Sequence, residues 1–321
     1  MTKSKREDHQ KRDYYIIGID GGGTRTRGVL EKNGETIATA YAGTTRVGAV
    51  GVGESTERLL NVIKDLCEKA AIDSLDLDAV VIGLAGVWLE EEKKRSLHLM
   101  KTLARVEGLI LNDLMITSDA ELAIHGAFGG KPGIVLIVGT GSIAIAKSGN
   151  KLYRAGGWGI ELDDEGSGAW IGREGITAIL RALDGRGAKT ILAEKLAEML
   201  PSIDLNQPRT IVKAYADRNF EYQLLTPLVM QAAVEGDKVA LDIIKRASSH
   251  IMELLEAVGK HFKTQKVDVA LFGGVIENKT LLKDILEDAI KKSKKYKLCK
   301  PKGTAIDGAM DIAKRMIKDS D

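Results

Sequence analysis

Apolar and polar positions follow two different spacings along the chain, and these spacings predict strands and helices in turn. Short apolar runs rich in β-branched residues predict strands at 14–19, 26–30, 36–40, 78–83, 114–117, 134–138, 143–147 and 267–272. Apolar residues at helical spacing predict helices at 54–71, 90–106, 120–129, 279–293 and 305–317, with a mostly helical stretch at 176–262. This order of elements is typical of an α/β protein.

One arrangement of elements occurs twice. A strand, a glycine-rich turn and a second strand lie at 16–30 and again at 134–147, and each opens a further series of strands and helices. The chain has 321 residues, which is long enough for two domains. The repeat therefore predicts two α/β domains of similar plan with a cleft between them. In such sheets, ligands bind at the carboxyl ends of strands, where both glycine turns lie.

The predicted domains divide the chain at residue 119. The N-terminal domain covers 13–119 and is joined by a C-terminal helix at 304–321. The C-terminal domain covers 120–303 and carries a helical insertion. Residues 1–12 are almost wholly polar, so we expect a disordered tail there.

Composition excludes several classes of protein. Lys and Arg number 47 against 45 Asp and Glu, and aromatic residues make up 4%, so we expect no nucleic-acid partner and no membrane partner. Two cysteines are too few for a disulfide framework or a four-cysteine metal site. The longest apolar runs fall short of the roughly 20 residues that span a bilayer, and no apolar stretch follows the first residue. We therefore expect a soluble, cytoplasmic protein.

Glycine is the unusual component, with 35 residues that cluster after apolar runs. Three turns at predicted strand ends stand out: Asp20-Gly21-Gly22-Gly23-Thr24, Gly139-Thr140-Gly141-Ser142 and Phe272-Gly273-Gly274. None fits the GxxxxGK[ST] or GxGxxG patterns. Glycine turns let backbone N–H groups approach an anion closely, and Asp20 would be placed to hold a metal ion through water. Each turn alone is equally well explained by an ordinary hairpin, but three in this order are more specific.

These turns belong to a longer series of motifs. In chain order they are DGGGT at 20–24, GTGS at 139–142, GGWG at 156–159, DEGS at 164–167 followed by Trp170-Ile171-Gly172, and GG at 273–274. The series resembles the N-acetylglucosamine kinase and BadF/BadG/BcrA/BcrD ATPase family of the sugar kinase, Hsp70 and actin superfamily, from about residue 14 to 313. The resemblance implies two actin-like (ribonuclease H-like) α/β domains with ATP and Mg²⁺ in the cleft between them.

The resemblance also implies roles for the nucleotide-binding residues. Asp20 would face the metal ion. Phosphates would be contacted by Gly22, Gly23 and Thr24, and by a second loop of Gly139, Thr140, Gly141 and Ser142. Gly273 and Gly274 would lie at the adenosine.

On the substrate side, Asp119 matches the family's catalytic base, which orients a sugar hydroxyl and accepts its proton. Asp164, assisted by Glu165, would bind sugar hydroxyls, and Gly86 would border the substrate. Without the family, the local sequence favours Asp119 as the N-cap of the helix predicted at 120–129.

Three positions depart from the family pattern. Many members carry an Asn in the loop that here reads Ala42-Gly43-Thr44-Thr45-Arg46, Ile143 stands where an Asn commonly follows GTGS, and Asp163 stands where Gly is usual. We hypothesise that Arg46 favours an acidic sugar through a bidentate contact with its carboxylate. A solvated arginine is the simpler explanation.

The resemblance implies ATP-dependent phosphorylation of a hydroxyl of N-acetylglucosamine or a related hexose or amino sugar. ATP and Mg²⁺ would be the cofactors, the sugar the small-molecule partner, and a homodimer the assembly. The alternative is a BadF-type ATPase whose nucleotide cycle drives a partner protein, with no small acceptor. Asp119→Ala separates them, since in a kinase it should abolish transfer and leave ATP binding intact.

Overall fold

The computed structural model describes residues 13–23, 25–149, 151–263 and 266–320; the predicted tail at 1–12 lies outside them. The described chain forms two compact units. The first extends to Gly130 and includes the chain from Lys302 onward, and the second is Lys131–Pro301. Each contains one five-stranded sheet.

The strands share one plan in the two units. In the first they are β1 (Tyr15–Gly21), β2 (Arg25–Lys32), β3 (Glu35–Gly43), β4 (Leu77–Leu84) and β5 (Leu114–Ser118). In the second they are β6 (Gly133–Val138), β7 (Ser142–Ser148), β8 (Lys151–Gly156), β9 (Val267–Phe272) and β10 (Tyr296–Leu298). The sheet orders are β3-β2-β1-β4-β5 and β10-β9-β6-β7-β8. In both, the first three strands are antiparallel neighbours and the last two run parallel to the first. The predicted repeat and the α/β class are confirmed.

Helices connect the strands of each unit. They are α1 (Val47–Ala70), α2 (Glu90–Val106), α3 (Asp119–Phe128), α4 (Gly168–Leu183), α5 (Leu192–Met199), α6 (Arg209–Ala216), α7 (Thr226–Val234), α8 (Lys238–Gly259), α9 (Gly274–Glu277), α10 (Leu281–Lys292) and α11 (Ala305–Ser320). No helix of the described residues is long and apolar enough to cross a membrane.

The first sheet is buried on both faces, which explains why β1 is a continuous apolar run. Ile17 and Ile19 belong to a core with residues of α1 and α2. Ile16 belongs to a second core with residues of α3 and α11. At Gly18 a Cβ would lie 2.9 Å from Cβ of Ala309, so this strand has a glycine where α11 crosses it closely.

The boundary between the units falls after Gly130, not after Asp119 as predicted. The reason is the close packing of α3 on α11. A Cβ at Gly126 would lie 1.9 Å from the carbonyl oxygen of Thr304, and one at Gly308 would lie 2.0 Å from that of Leu122. Because these two glycines let the helix backbones touch, α3 stays with the first unit.

The second unit has a single large core. Ile134, Leu136 and Val138 of β6 pack there with residues of the helices that follow β8. The predicted helical stretch resolves into α4 to α8, with α8 packing Ile244, Ile251 and Leu255 into the core.

Three elements differ from the sequence prediction. The strand β8 was not predicted because its residues are mostly half-buried and show no alternation of apolar and polar positions. The strand β10 has three residues, too few to form a pattern. The helix α1 begins at Val47, not at residue 54, but contains a break at Gly51, where φ is 81°.

Candidate active site

The first glycine turn follows β1. A Cβ at Gly21 would lie 2.6 Å from Oγ1 of Thr45 and 2.7 Å from the carbonyl oxygen of Gly83, so close packing requires glycine there. By contrast, no atom of the described residues lies within 4 Å of a Cβ built at Gly23. The backbone at Gly23 is therefore open to a ligand. Thr24, the last residue of the predicted turn, lies outside the described residues.

Two threonines of the loop after β3, Thr44 and Thr45, were left without a role by the sequence analysis and contact this turn and the strand after it. The Thr44 hydroxyl donates to the carbonyl oxygen of Gly23 at 2.8 Å. The buried hydroxyls of Thr26 and Thr45 are hydrogen-bonded to each other at 2.9 Å. The signal was the Thr44-Thr45 pair in the loop after β3, which sequence reasoning treated only as a departure from a pattern.

Two carboxylates come together at the carboxyl ends of the parallel strands. Asp20 lies opposite Gly83 of β4 in the sheet register, and Asp119 follows β5. Gly83 makes this approach possible, since a Cβ there would lie 3.2 Å from Cα of Asp119.

The acidity of Asp20 reflects this environment. Burial and, to a smaller extent, the negative charge of Asp119 raise the pKa of Asp20, Arg27 opposes both, and together they bring the pKa to about 6. Two carboxylates that repel each other in a half-buried site bind a divalent cation readily, because the cation removes the cost of holding both charged.

Asp119 is not the cap of its helix. The N-cap of α3 is Ser118, whose hydroxyl accepts a hydrogen bond from the Glu121 amide at 3.0 Å. Asp119 is the first helical residue, and its Oδ1 accepts from the Ala120 amide at 2.8 Å. The capping role that the local sequence favoured for Asp119 is therefore wrong.

The second glycine turn and the Gly273-Gly274 turn lie side by side in the second unit. Ile137 of β6 pairs with Phe272 of β9, so the two strands end at the same edge of the sheet. Gly273 has φ of 97°, and a Cβ there would lie 2.4 Å from the carbonyl oxygen of Val138. Around Gly139 and Gly274, in contrast, the described structure leaves a Cβ without neighbours within 4 Å. The predicted nucleotide-binding glycines of the second unit therefore lie at one edge of its sheet, with open backbone at Gly139 and Gly274.

The polar groups of the second turn are mostly used within the unit. The carbonyl oxygens of Gly139 and Thr140 accept hydrogen bonds from the Gly168 and Ala169 amides at the start of α4, at 2.8 and 3.1 Å. The side chain of Ser142 is buried, and its hydroxyl donates to the carbonyl oxygen of Glu165 at 2.8 Å. Ser142 therefore holds the DEGS loop in place, a role that sequence reasoning did not anticipate.

Asp164 lies against the same turn. It is 8% exposed, has φ of 58°, and its Oδ1 is 3.4 Å from the Ser142 amide that donates to it. A Cβ at Gly141 would lie 2.8 Å from its Oδ2. The Glu165 side chain next to it is exposed.

The GGWG turn is held from two sides. Oδ2 of Asp163 accepts from the Trp158 amide at 3.2 Å, and the Asp163 amide donates to the carbonyl oxygen of Gly159 at 2.7 Å. From β8, the Arg154 guanidinium lies 4.0 Å from the centre of the Trp158 ring and donates to the carbonyl oxygen of Gly156. Sequence reasoning missed Arg154 because it missed β8. It treated Asp163 only as a departure from the family, although that residue closes the turn.

Gly86 and Arg46 are neighbours in the first unit. Gly86 follows β4 with φ of 84°, and a Cβ there would lie 3.8 Å from Cγ of Arg46. Arg46 is exposed and immediately precedes α1. Within the part of the chain that the structure describes, no ion pair involves its guanidinium.

Comparison with known proteins identifies the family. The family model of the BadF/BadG/BcrA/BcrD ATPases matches residues 17–313. The chain belongs to the BadF/BadG/BcrA/BcrD ATPase family. The resemblance inferred from the motifs is confirmed.

Individual relatives of this ATPase-family chain are sugar kinases by name. It is 29% identical to an N-acetylmuramic acid/N-acetylglucosamine kinase of Clostridium acetobutylicum, over 94% of this chain and 98% of that protein. It is 30% identical to an N-acetyl-D-glucosamine kinase of Dictyostelium discoideum, over 86% of this chain and 89% of that protein.

A solved structure shows the same fold. A protein of Chromobacterium violaceum that bears a provisional N-acetylglucosamine kinase name superimposes with a TM-score of 0.74 at 26% identity, covering 94% of this chain and 99% of that one. The predicted fold class of two actin-like α/β domains is confirmed.

Proposed function

We propose that this protein is an ATP-dependent kinase that phosphorylates a hydroxyl group of an amino sugar. The observation that carries the proposal is the pair of Asp20 and Asp119 at the carboxyl edge of the first sheet, beside the open backbone at Gly23. Phosphoryl transfer needs few protein groups beyond a base for the attacking hydroxyl and a cation for the phosphates. The kinase names of the relatives support the sugar as acceptor.

Asp119 serves as the base. Asp119 lies in the first turn of α3, at the positive end of the helix dipole. An ionised carboxylate can accept the proton of a sugar hydroxyl as the hydroxyl oxygen attacks the γ-phosphorus. Because Ser118 provides the helix cap, the Asp119 carboxylate is not needed for that purpose.

The residues present fit a Mg²⁺ ion. Asp20 is a hard oxygen donor whose neighbour is a second carboxylate, and it would hold the ion through water. The ion would supply neutralisation of charge on the phosphates. No group of three or more His, Cys, Asp and Glu side chains among the described residues is arranged as a metal site.

The nucleotide is assigned to the glycine turns. We propose that the open backbone at Gly139 and Gly274 contacts ATP, since amides of glycine turns approach anions closely. Ser142 and Gly273 shape this surface from within, because the first holds the DEGS loop and the second adopts a positive φ. Gly22, Gly23 and Thr24 are proposed to contact the phosphates.

The deciding experiment is sugar-stimulated ADP release from ATP and Mg²⁺. The panel contains glucose, glucosamine, N-acetylglucosamine, N-acetylmuramic acid and gluconate, each tested with wild type, Asp119→Ala and the control Asp113→Asn, an exposed residue before β5. We expect strong stimulation by an amino sugar that Asp119→Ala abolishes and the control keeps. A slow ADP release that no sugar changes would instead indicate an ATPase that drives a partner protein.

The choice of amino sugar is assigned to Arg46. Its Cγ lies beside Gly86, its side chain is exposed, and its guanidinium forms no ion pair with the described residues, so we infer that it can reach an anionic substituent. N-acetylmuramic acid carries a carboxylate that N-acetylglucosamine lacks. We expect Arg46→Gln to lower kcat/KM for N-acetylmuramic acid about tenfold relative to that for N-acetylglucosamine. The control is Arg95→Gln, at an exposed position of α2, which should leave this ratio unchanged. If Arg46→Gln leaves the ratio of the two kcat/KM values unchanged, Arg46 does not contact the substrate and is a solvated side chain.

The homodimer implied by the resemblance stays a prediction. Sedimentation equilibrium of the purified protein measures it directly.

A further inference from the structure

An ion pair connects α2 to α3 next to the catalytic base. Nζ of Lys93 in α2 lies 3.2 Å from Oε2 of Glu121 in α3, and 3.0 Å from Oε1 of Glu90. The Thr117 hydroxyl at the end of β5 donates to the same Oε2 of Glu121. The Lys93 and Glu121 side chains are 16% and 23% exposed, so this pair is more buried than that of Lys64 and Glu107, whose side chains are 42% and 33% exposed.

On the α2 side, this pair is attached to the loop that carries Gly86. The loop follows β4, and its first amide, at Ala85, donates to the carbonyl oxygen of Gly21 at 2.8 Å. At its other end, the amides of Trp88 and Leu89 both donate to Oε2 of Glu92, at 2.8 and 2.9 Å. Lys93 directly follows Glu92, so the loop and Lys93 are both attached to the first turn of α2.

On the α3 side, the pair is attached to the base. Glu121 lies in the first turn of α3, two residues after Asp119, and its amide donates to the Ser118 cap. Its carboxylate is held by Thr117 from the strand and by Lys93 from the other helix. The orientation of the first turn of α3, and with it Asp119, therefore depends on a contact with α2.

The charge of Lys93 and its partial burial make the contact with Glu121 costly to lose. Partial burial lowers the pKa of Lys93, but its contacts with Glu90 and Glu121 raise it by more, so the amine stays charged. A partly desolvated charge that loses its partner costs more than an exposed one, whereas exposed pairs contribute little. Replacing either partner should therefore let the two helix starts move apart.

We propose that Lys93 and Glu121 are positioning residues that hold the substrate loop at 85–89 and the base Asp119 in register with each other. The inference rests on the proposed kinase function. The two residues act through the backbone of two helix starts and need not touch substrate. A small displacement of a base from its hydroxyl is enough to slow transfer, because proximity and orientation supply a large part of the rate.

The kinetic test uses Lys93→Met, Glu121→Gln, the double variant and the charge-keeping Lys93→Arg. We expect each neutralising variant to lower kcat/KM for the sugar about tenfold, with the KM for ATP unchanged. The double variant should be no slower than the single variants, because each single variant already removes the same contact between Lys93 and Glu121. Lys93→Arg should recover most of the rate, because it keeps the charge.

The matched control is the pair of Lys64 in α1 and Glu107 at the other end of α2. It also joins two helices of the same unit but lies far along α2 from the substrate loop. Lys64→Met and Glu107→Gln should leave both KM values and kcat within about twofold of wild type. If the two sets of variants change kcat/KM and melting temperature alike, Lys93 and Glu121 are merely structural and the inference is overturned.

A second measurement separates this inference from the proposed function. Amide hydrogen exchange at 85–92 and 118–122 should become faster in Lys93→Met and stay unchanged in Lys64→Met, with or without a sugar. A wild type without sugar-dependent turnover would overturn the proposed function. A wild type that turns over, with Lys93 variants unchanged in rate and in exchange, would overturn this inference alone.

Discussion

The two glycine turns share a place in the sheet plan, but their polar groups are used differently. In the first unit, β1 ends with Asp20 and Gly21, and the Asp20 carboxylate stays half-buried beside a second carboxylate, Asp119. In the second unit, β6 ends with Val138, and in the turn after it the Ser142 hydroxyl donates to the DEGS loop while the carbonyl oxygens of Gly139 and Thr140 accept from amides at the start of α4. The same backbone plan therefore places two carboxylates together in one unit and, in the other, a largely internally hydrogen-bonded turn with open backbone at Gly139.

This difference is the basis of the proposed division, in which the two carboxylates of the first unit take part in the reaction and the turns of the second unit provide most of the contact with ATP. A buried carboxylate lowers the stability of a protein unless a cation or proton compensates its charge. A pair of neighbouring carboxylates that does not contribute to stability is therefore a candidate functional site. Hydrogen bonds made within a loop fix its shape before a ligand arrives, which lowers the entropic cost of binding. The predictions below test this division.

The largest expected effect distinguishes Asp119 of the first unit from Asp164 of the second. Asp119→Asn should lower kcat about 10³-fold with little change in melting temperature, because the amide cannot accept the proton and Ser118 keeps the cap. Asp164→Asn should raise the KM for the sugar more than it lowers kcat. Steady-state rates of both variants decide this, and equal losses of kcat would break the comparison.

The next effect tests which glycines of the second unit are needed for backbone geometry. Gly273→Ala should destabilise the protein by about 3 kcal/mol, because its φ is positive and a Cβ would strike the carbonyl of Val138. Gly274→Ala is the matched control, since a Cβ there meets open space. Urea unfolding measures both; similar losses of stability for the two would contradict the role given to Gly273.

The carboxylate pair predicts an unusual pH dependence. Since the pKa of Asp20 is raised to about 6, the folded protein binds more protons than the unfolded chain between about pH 4 and 6. The Asp20 contribution to stability without Mg²⁺ therefore increases as pH falls from 6 to 4, whereas Mg²⁺-dependent activity should decrease as pH falls through 6.

Asp20→Asn checks the sign of this effect. The variant should gain about 2 kcal/mol of stability at pH 7 without Mg²⁺, after allowance for partial exposure. It should also lose the stabilisation that Mg²⁺ and ATP provide to wild type. Thermal unfolding at pH 5 and 7, with and without Mg²⁺ and ATP, measures this. A variant less stable than wild type at pH 7 without ligand would show that the ionised Asp20 carboxylate does not destabilise the folded protein.

The smallest effect concerns Ser142. Ser142→Ala should cost about 1 kcal/mol of stability, since it leaves the Glu165 carbonyl without its hydroxyl partner. The KM for ATP should stay within about threefold, because the hydroxyl is directed into the loop. Chemical denaturation and ATP titration measure the two quantities; a large loss of ATP affinity with unchanged stability would assign the hydroxyl to the phosphates.

Sequence patterns predicted the parts of the site that depend on neighbouring residues. The apolar run of β1 and the three glycines after it are local, so strand, turn and open backbone followed directly. The motif order led to the family, which the match over 17–313 confirms. The helix cap was different, since Ser118 and Asp119 are both good capping residues and only the backbone angles of Ser118 decide between them.

The contacts that position the site could not be predicted from sequence. Arg154 holds the GGWG turn from β8, a strand whose half-buried residues show no alternation. Lys93 and Glu121 are charged residues on two different helices, and in the sequence each has several other possible partners. The unit boundary also depended on the contact of α3 with α11, which joins residues far apart in the chain.

By itself, the sequence determined the α/β class, the twofold repeat, the glycine turns at the strand ends and the family. These follow from periodicity and from backbone conformations, which are properties of residues close together in the chain. Only the tertiary structure decided that Asp20 meets Asp119, that Ser142 holds the DEGS loop, and that Lys93 joins α2 to Glu121 of α3. Those contacts depend on strand register and helix packing, which bring distant residues together and determine what each polar group can bind.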